Sequence, residues 1–514
     1  MASIANRNPL NSRDMINRRL PIVVGFLVVV SGVLLLALAR YQWLSPEVER
    51  EFKLRGAANV SSVRRLPAER GLIFDRDGQP LAFNAIQYEI GVSPNLVTDA
   101  RQLATQMALI LGTDEFLLYQ RITQRVPWVQ IARPVPAEIG EQLTDLRNIA
   151  ITIDPLTDRF YPQGNLAGPL IGFVIEDNNN TRGALGVEAS YNDQLAGRVL
   201  NQQVSRIPFD LPTGERSLRR GMNLVLTIDR DIQFWVEEEL RRLMEEQSAP
   251  SGSIIVMDPR NGDILAMVSL PTFDPNDFVN APERLLRNPA IGSIYEPGSV
   301  FKVLTLAAGI ERGGVTPQWT YNDTGLIEVG GILVQNWDRN AYGLQDATQV
   351  LVNSLNVGVT TMALEMGRDN FYSVIRAFGI GQPTRIDLPG EEAGILKVDD
   401  WSESDLATNS FGQGVSVTPL QMITAVAAIA NDGLMMQPRI VRQIIDGDQV
   451  INAQPSALGR PISAATANMV TDMMVRVVED GATLARISGY TVAGKTGGEM
   501  TLGAESFPIR RGDT

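Results

Sequence analysis

Glu296-Pro297-Gly298-Ser299-Val300-Phe301-Lys302-Val303-Leu304 sets a Pro-Gly breaker directly before a serine and an apolar, helix-forming run directly after it. Proline and glycine end whatever element comes before, and the run restarts as a helix, so Ser299 is expected at a helix N-terminus. Residues i and i+3 share a helix face, which brings the Lys302 amine to within about one turn of the Ser299 hydroxyl. The partial positive charge of a helix start, together with burial, disfavours the ammonium form and suits Lys302 to the role of base. Taken alone the pattern is weak: a serine opening a helix is ordinarily a cap, and Ser-x-x-Lys is common by chance.

The composition narrows the chemistry further. The 514 residues include no histidine and no cysteine, which removes the Ser-His-Asp triad, histidine-based zinc hydrolysis, thiolate nucleophiles and disulfides together. Any acyl-transfer chemistry must therefore draw its base from elsewhere. A formal charge of −13 argues against a nucleic-acid partner, because binding phosphates needs clustered Lys and Arg. With 44% hydrophobic residues the chain is long and apolar enough for two or more packed domains.

Two later strings give the serine its context. Ser354-Leu355-Asn356 begins 55 residues after Ser299, and Lys495-Thr496-Gly497 begins 139 residues after Asn356, in the order used by penicillin-recognising serine enzymes. Each string alone could be a turn, a cap or a strand end; the ordered triple is specific. Ser354 would relay a proton between Lys302, Lys495 and a leaving amine, and Asn356 would orient the peptide amide of a substrate. Lys495 and Thr496, preceded by Tyr490-Thr491-Val492-Ala493, are expected on a sheet edge facing the pocket, where a cation and a hydroxyl hold a peptide carboxylate. Gly497 lets a backbone approach closely. If the resemblance holds, the oxyanion is taken by the backbone N–H groups of Ser299 and Gly498. Gly489 to Thr496 also fits the phosphate-loop expression, but its Tyr-Thr-Val-Ala interior reads as a strand and no long helix follows.

Toward the N-terminus, Leu20 to Ala39 (LPIVVGFLVVVSGVLLLALA) carries no charge over 20 residues, the length of one membrane-spanning helix. A cleaved signal peptide is the rival reading, with Ala37-Leu38-Ala39 as its cleavage site, but the apolar run exceeds the usual 7–15 residues or so. Arg7, Arg13, Arg18 and Arg19 precede the span, and Glu47, Glu49 and Glu51 follow it, so the N-terminus is expected in the cytoplasm and everything past Arg40 outside. Tyr41 to about Val63 reads as a helical or extended stalk.

Arg70-Gly71-Leu72-Ile73-Phe74-Asp75-Arg76-Asp77-Gly78-Gln79-Pro80-Leu81-Ala82 reads as a hairpin. So does Asp258-Pro259-Arg260-Asn261-Gly262-Asp263 between the apolar runs 252–256 and 264–268. Pro127, Pro134 and Pro136 break the region 99–145 into small elements. Leu224 to Ile228 reads as a strand, with Asp229 capping the helix after it, and 419–430 and 465–478 carry helical spacing.

The string RGLIFDRDGQPLA closely resembles the opening of the non-catalytic pedestal of class B penicillin-binding proteins. Arg159-Phe160-Tyr161-Pro162, Leu170 to Phe173 and Gly183 to Glu188 resemble the same pedestal, where Glu188 reads as a structural carboxylate. Asp258 to Met267 and Phe411-Gly412-Gln413-Gly414 extend the similarity over roughly residues 60–497. The resemblance implies an α+β architecture: a cytoplasmic tail (1–19), a membrane helix (20–39), a pedestal or dimerisation domain (40–220), and a transpeptidase domain (221–514) of helices packed on an antiparallel sheet. It further implies a monofunctional peptidoglycan D,D-transpeptidase of the inner membrane that needs no cofactor or metal, takes stem peptides ending in D-Ala-D-Ala, is acylated by beta-lactams, and works beside a separate glycan polymerase in a divisome or elongasome. Ser-Leu-Asn followed by Val357-Gly358, and the run Phe411 to Pro419, look more like the division branch.

Two departures qualify this. Gly498 stands where the family usually has Thr or Ser, so one hydroxyl contact to the substrate carboxylate is lost. Only 17 residues follow Gly497, where the family continues with further strands and a helix, and the domain is expected to be incomplete, a fragment or a frameshifted end. Two other readings stay open: a hydrolase of the beta-lactamase or carboxypeptidase kind, and a penicillin-binding sensor or scaffold.

Overall fold

The computed structural model describes residues 12–43, 61–66, 69–177, 180–197, 200–205, 220–316, 318–397, 399 and 401–498, and the chain divides into two compact units. The first, Met1–Pro67 with Val199–Leu218, holds the helix Ser12–Trp43. Its apolar stretch Arg19–Arg40 is 22 residues long and none of it is buried by protein. At 1.5 Å per residue it reaches about 33 Å, enough for the hydrocarbon core of a bilayer. The same unit pairs Ser61–Leu66 antiparallel with Leu200–Ser205. Most of the expected stalk, residues 44–60, lies outside the described residues, as does everything after Gly498.

The second unit comprises Ala68–Arg198 and Arg219–Thr514. Its largest sheet has seven strands. Ile73–Phe74 and Pro80–Val92 form the expected hairpin. The Asp75 side chain closes its turn by accepting from the Asp77 and Gln79 amides, and Gly78 supplies the positive φ of 84°. Pro80–Val92 then pairs with Val129–Pro136 and Ile151–Phe160. On the other side Ile73–Phe74 runs parallel to Asn223–Leu226, which pairs with Val441–Asp446 and through it reaches Gln449–Asn452. Region 99–145 is broken into pieces as its prolines require. Asp99 and Asp114 cap helices Ala100–Leu111 and Glu115–Ile122, followed by the strand Val129–Pro136 and the helix Ala137–Asp145.

One apolar cluster draws Ile73, Leu81, Tyr161, Leu170 and Val187 together with Leu224, Ile264, Ile291, Leu388, Leu420 and Ile440. Residues on both sides of position 220 thus share one core. Asp229 caps helix Arg230–Gln247 through the Asp231 and Ile232 amides, as its spacing predicts. This helix lies on the antiparallel pair Gly252–Met257 and Ile264–Leu270, which turns at Asn261-Gly262. Gln233 fastens it by exchanging hydrogen bonds with both the N–H and the carbonyl of Met267.

A second cluster surrounds helix Lys302–Arg312, where Leu304, Ala307 and Ala308 pack with Val359 and Met362 of Asn356–Met366, Phe371 of Arg368–Ala377, and Val470 and Met473 of Ala464–Arg476. The structure corrects one expectation: residues 491–498 join no sheet ladder, so Lys495 lies on an irregular segment and not on a strand. Tyr490, Thr491 and Val492 give the segment strand propensity, but a strand exists only where a neighbour completes its hydrogen bonds. No described strand lies beside 491–498 to do so.

Candidate active site

Pro297 leads into Gly298, whose φ of +56° only glycine adopts freely. Gly298–Phe301 then forms a 3₁₀ turn that runs straight into helix Lys302–Arg312. Side chains three apart eclipse in a 3₁₀ turn, so Ser299 and Lys302 point the same way. Ser299 is partly exposed, whereas the Lys302 side chain is fully buried.

The amine of Lys302 lies 2.6 Å from the Ser354 carbonyl oxygen, 2.6 Å from Asn356 Oδ1 and 3.2 Å from Ser354 Oγ. None of its hydrogen bonds goes to Ser299. A carbonyl oxygen, an amide oxygen and the Ser354 hydroxyl between them occupy the three positions around the amine. Ser354 sits in the link between helices Ala347–Val352 and Asn356–Met366 with a φ of +54°, a left-handed conformation uncommon for a residue with a Cβ. Its hydroxyl also receives a hydrogen bond from Lys495 Nζ at 3.1 Å, and Lys495 donates to the Thr496 carbonyl at 2.8 Å. The hydroxyl of Ser354 thus bridges the two lysines.

Asn356 is more committed than its motif implies. Its oxygen faces Lys302 and its nitrogen donates to the Gln335 carbonyl at 2.8 Å, leaving one N–H and one lone pair for a substrate amide. Gly497 lies against the serine turn: a Cβ there would come within 2.8 Å of Val300 Cγ1 and 3.3 Å of the Val300 nitrogen. The glycine is needed for that packing as well as for any close-lying ligand. Thr496 and Gly498 are exposed. The structure therefore brings Lys302, Ser354, Asn356 and Lys495 into one hydrogen-bonded group, with Gly497 beside the turn that carries Ser299.

Electrostatics follow from this crowding. Burial, reinforced by the nearby charge of Lys495, holds the Lys302 amine well below the usual lysine range. Burial alone lowers Lys495 to about 8. Two amines sharing one hydroxyl are hard to keep charged together, and the more deeply buried one is the first to lose its proton.

A second layer holds the serine turn. Val417 and Tyr295 exchange backbone hydrogen bonds at 2.9 Å each, the Gly298 amide donates to the Gly412 carbonyl at 3.1 Å, and the Gly414 amide donates to Glu296 Oε1 at 3.0 Å. Residues 411–417 thus strap the segment that ends at Ser299. Sequence reading noted Phe411 to Gly414 as a similarity but missed the strap, as it missed Gln335, whose contribution is a backbone carbonyl that no side chain advertises. The carboxylate of Glu188 lies apart from this group, bound by Arg70 at 2.6 Å and Arg159 at 2.7 Å and fully buried.

Comparison with known proteins gives this geometry its relatives. Residues 252–506 match the penicillin binding protein transpeptidase domain and residues 65–207 the penicillin-binding protein dimerisation domain. The chain is 34% identical to stage V sporulation protein D of Bacillus subtilis over 95% of its own length and 77% of that protein. It is 28% identical to the peptidoglycan D,D-transpeptidase FtsI of Escherichia coli over 97% and 84% of the two chains. The crystal structure of penicillin binding protein 3 from Mycobacterium tuberculosis complexed with ampicillin superposes with a TM-score of 0.65 at 30% identity, covering 84% of this chain and 81% of that one. With a relative above 30% identity matched over most of both chains, and with the two domain models in tandem, the chain belongs to the class B penicillin-binding proteins.

Proposed function

We propose that this chain is a peptidoglycan D,D-transpeptidase that joins stem peptides through an acyl-enzyme on Ser299. The observation that carries the reading is the chain Lys302, Ser354, Lys495, in which one hydroxyl lies 3.2 Å and 3.1 Å from two amines. A neutral Lys302 spends its two N–H groups on the Ser354 carbonyl and Asn356 Oδ1, and its remaining lone pair is the base. As Ser299 Oγ attacks the carbonyl of the penultimate D-Ala, its proton passes to Lys302, and the oxyanion is received by the backbone N–H groups of Ser299 and Gly498. When the C–N bond breaks, that proton returns through Ser354 to the departing D-alanine amine. The acceptor amine of a second stem peptide then attacks the ester, gives up a proton along the same route, and releases Ser299 as the hydroxyl. Lys495 and Thr496 bind the terminal carboxylate.

The arginines ahead of the apolar helix support a cytoplasmic N-terminus in the inner membrane, with the pedestal (40–220) and the transpeptidase domain (221–514) outside. The enzyme works there with a separate glycan polymerase, in the division complex by the lean of its motifs.

The test is labelling with a fluorescent penicillin. One stable adduct per chain is expected, lost in Ser299→Ala and reduced by orders of magnitude in Lys302→Ala. Rapid release of hydrolysed penicillin would make the protein a hydrolase instead, and absence of any adduct on folded protein would leave the scaffold reading.

A further inference from the structure

The orientation of the Asn356 amide is set from outside the motif that contains it. Asp323 and Asn336 are both about 98% buried. The Asp323 carboxylate accepts from the Tyr321 hydroxyl at 2.9 Å, from the Asn336 side-chain amide at 2.8 Å and from the Tyr342 backbone at 2.9 Å. Both Asp323 oxygens accept, so Asn336 turns its nitrogen toward them and its oxygen away. That oxygen accepts from the Val357 amide at 3.2 Å, one of the free N–H groups in the first turn of helix Asn356–Met366. The nitrogen also reaches the Asn340 carbonyl at 3.1 Å, and the Asn336 backbone donates to the Gly325 carbonyl at 3.1 Å. Asn336 is thereby tied to three separate segments.

The residue before it is Gln335, whose carbonyl takes the Asn356 nitrogen. With that nitrogen engaged, only the oxygen of Asn356 is left to face Lys302. Were the amide reversed, an N–H would oppose the lysine's own N–H, and the base would lose the contact that points its lone pair.

We propose that Asn336, locked by the buried Asp323 carboxylate, is a positioning residue for the transpeptidase reaction: it fixes the Gln335 carbonyl so that Asn356 presents oxygen, not nitrogen, to Lys302. The inference rests on the reading of Lys302 as the base. Asn336 touches no reacting atom and acts only through Asn356.

The experiment measures acylation of the full-length protein by a penicillin in detergent, separating the limiting acylation rate constant from the concentration that half-saturates it. The labelled fraction counts folded enzyme, so the rate refers to folded protein at any yield. Asn336→Asp keeps the oxygen for Val357 but sets a second carboxyl against Asp323; Asn336→Ser, smaller and uncharged, is the alternative should Asn336→Asp give no labelled protein. Either is expected to lower the limiting rate by roughly 10- to 100-fold, the scale of a misplaced catalytic group, with little change in half-saturation. Introduced into Asn356→Ala, the same substitution is expected to add less than about twofold, because the residue it positions is gone. A full additional loss in Asn356→Ala, an unchanged limiting rate, or an effect confined to half-saturation would each overturn the proposal. Whether Lys302 is the base is judged separately by Lys302→Ala, so a failure of that reading is told apart from a failure of this one.

Discussion

Lys495 is the residue whose protonation state is most exposed to test. Its amine is lowered to about 8 by burial, so it is a cation below that pH and neutral above it. A carboxylate held by Lys495 loses its partner as pH rises through this range, and the second-order rate of acylation by a penicillin is expected to fall there. Burial, and after it the charge of Lys495, holds Lys302 well below the usual lysine range, so the rising limb of the profile is expected to the acid side of a free lysine. Lys495→Arg keeps a cation at every accessible pH. The falling limb is expected to vanish in that variant whatever its absolute rate, and a limb that persists near pH 8 would assign the titration to another group. That Lys302, Ser354, Asn356 and Lys495 would meet was legible in the sequence because each sits in a short local string. Which atoms they give to one another was not: the bond from Lys302 to Asn356 spans 54 residues, and the Gln335 carbonyl that turns Asn356 has no signature in the side chains.

At the scale of elements, the strap 411–417 against the serine turn is tight enough to fail on one methyl group. A Cβ on Gly412 would meet the Gly298 carbonyl oxygen at 2.3 Å and its nitrogen at 2.7 Å, and Gly412 has a φ of +80°. Gly412→Ala is therefore expected to displace Gly298 and with it Ser299. Unfolding stability should drop by about 1–3 kcal/mol, and acylation should slow by roughly 100-fold. Gly331 is the control: its φ is +81° but nothing lies within 4 Å of its Cβ position, so Gly331→Ala carries the conformational cost alone and should leave the acylation rate near that of the parent. Melting curves and penicillin labelling on both variants separate the two effects, and equal loss of rate in both would show that the strap does not position the serine. The helix start at Asp229, the Pro-Gly break before the turn that carries Ser299, and the hairpins at Asp75–Gln79 and Asn261–Gly262 were legible because caps and turns are local chemistry. The strand expected at Lys495 failed for the opposite reason, since pairing depends on a partner far along the chain.

Across the described residues of the second unit, charge burial ties together segments that no local pattern connects. Arg70 and Arg159 both bind Glu188, and all three side chains are at most 5% exposed. Arg159 also donates to the Gly71 carbonyl and to Asn84. Tyr191 crosses 196 residues to donate to Asp387 at 2.7 Å, and Asp387 accepts from the Ile440 and Val441 amides. These two ties differ in what their loss leaves behind. Glu188→Gln strands two guanidinium ions in the interior without a counter-charge, and removing one partner of a buried ion pair costs about 3–5 kcal/mol. Tyr191→Phe removes one donor from a carboxylate that keeps two others, a loss of about 0.5–1.5 kcal/mol. Because Ile73, Leu81 and Val187 share an apolar cluster with Leu224, Leu420 and Ile440, the destabilisation from Glu188→Gln should not stay near residue 188. A single, lowered melting transition is expected, with penicillin labelling of Ser299 lost at the same temperature. If Glu188→Gln instead splits the transition, and labelling survives the first step, then residues 68–198 melt independently of the serine site and the shared cluster does not couple them.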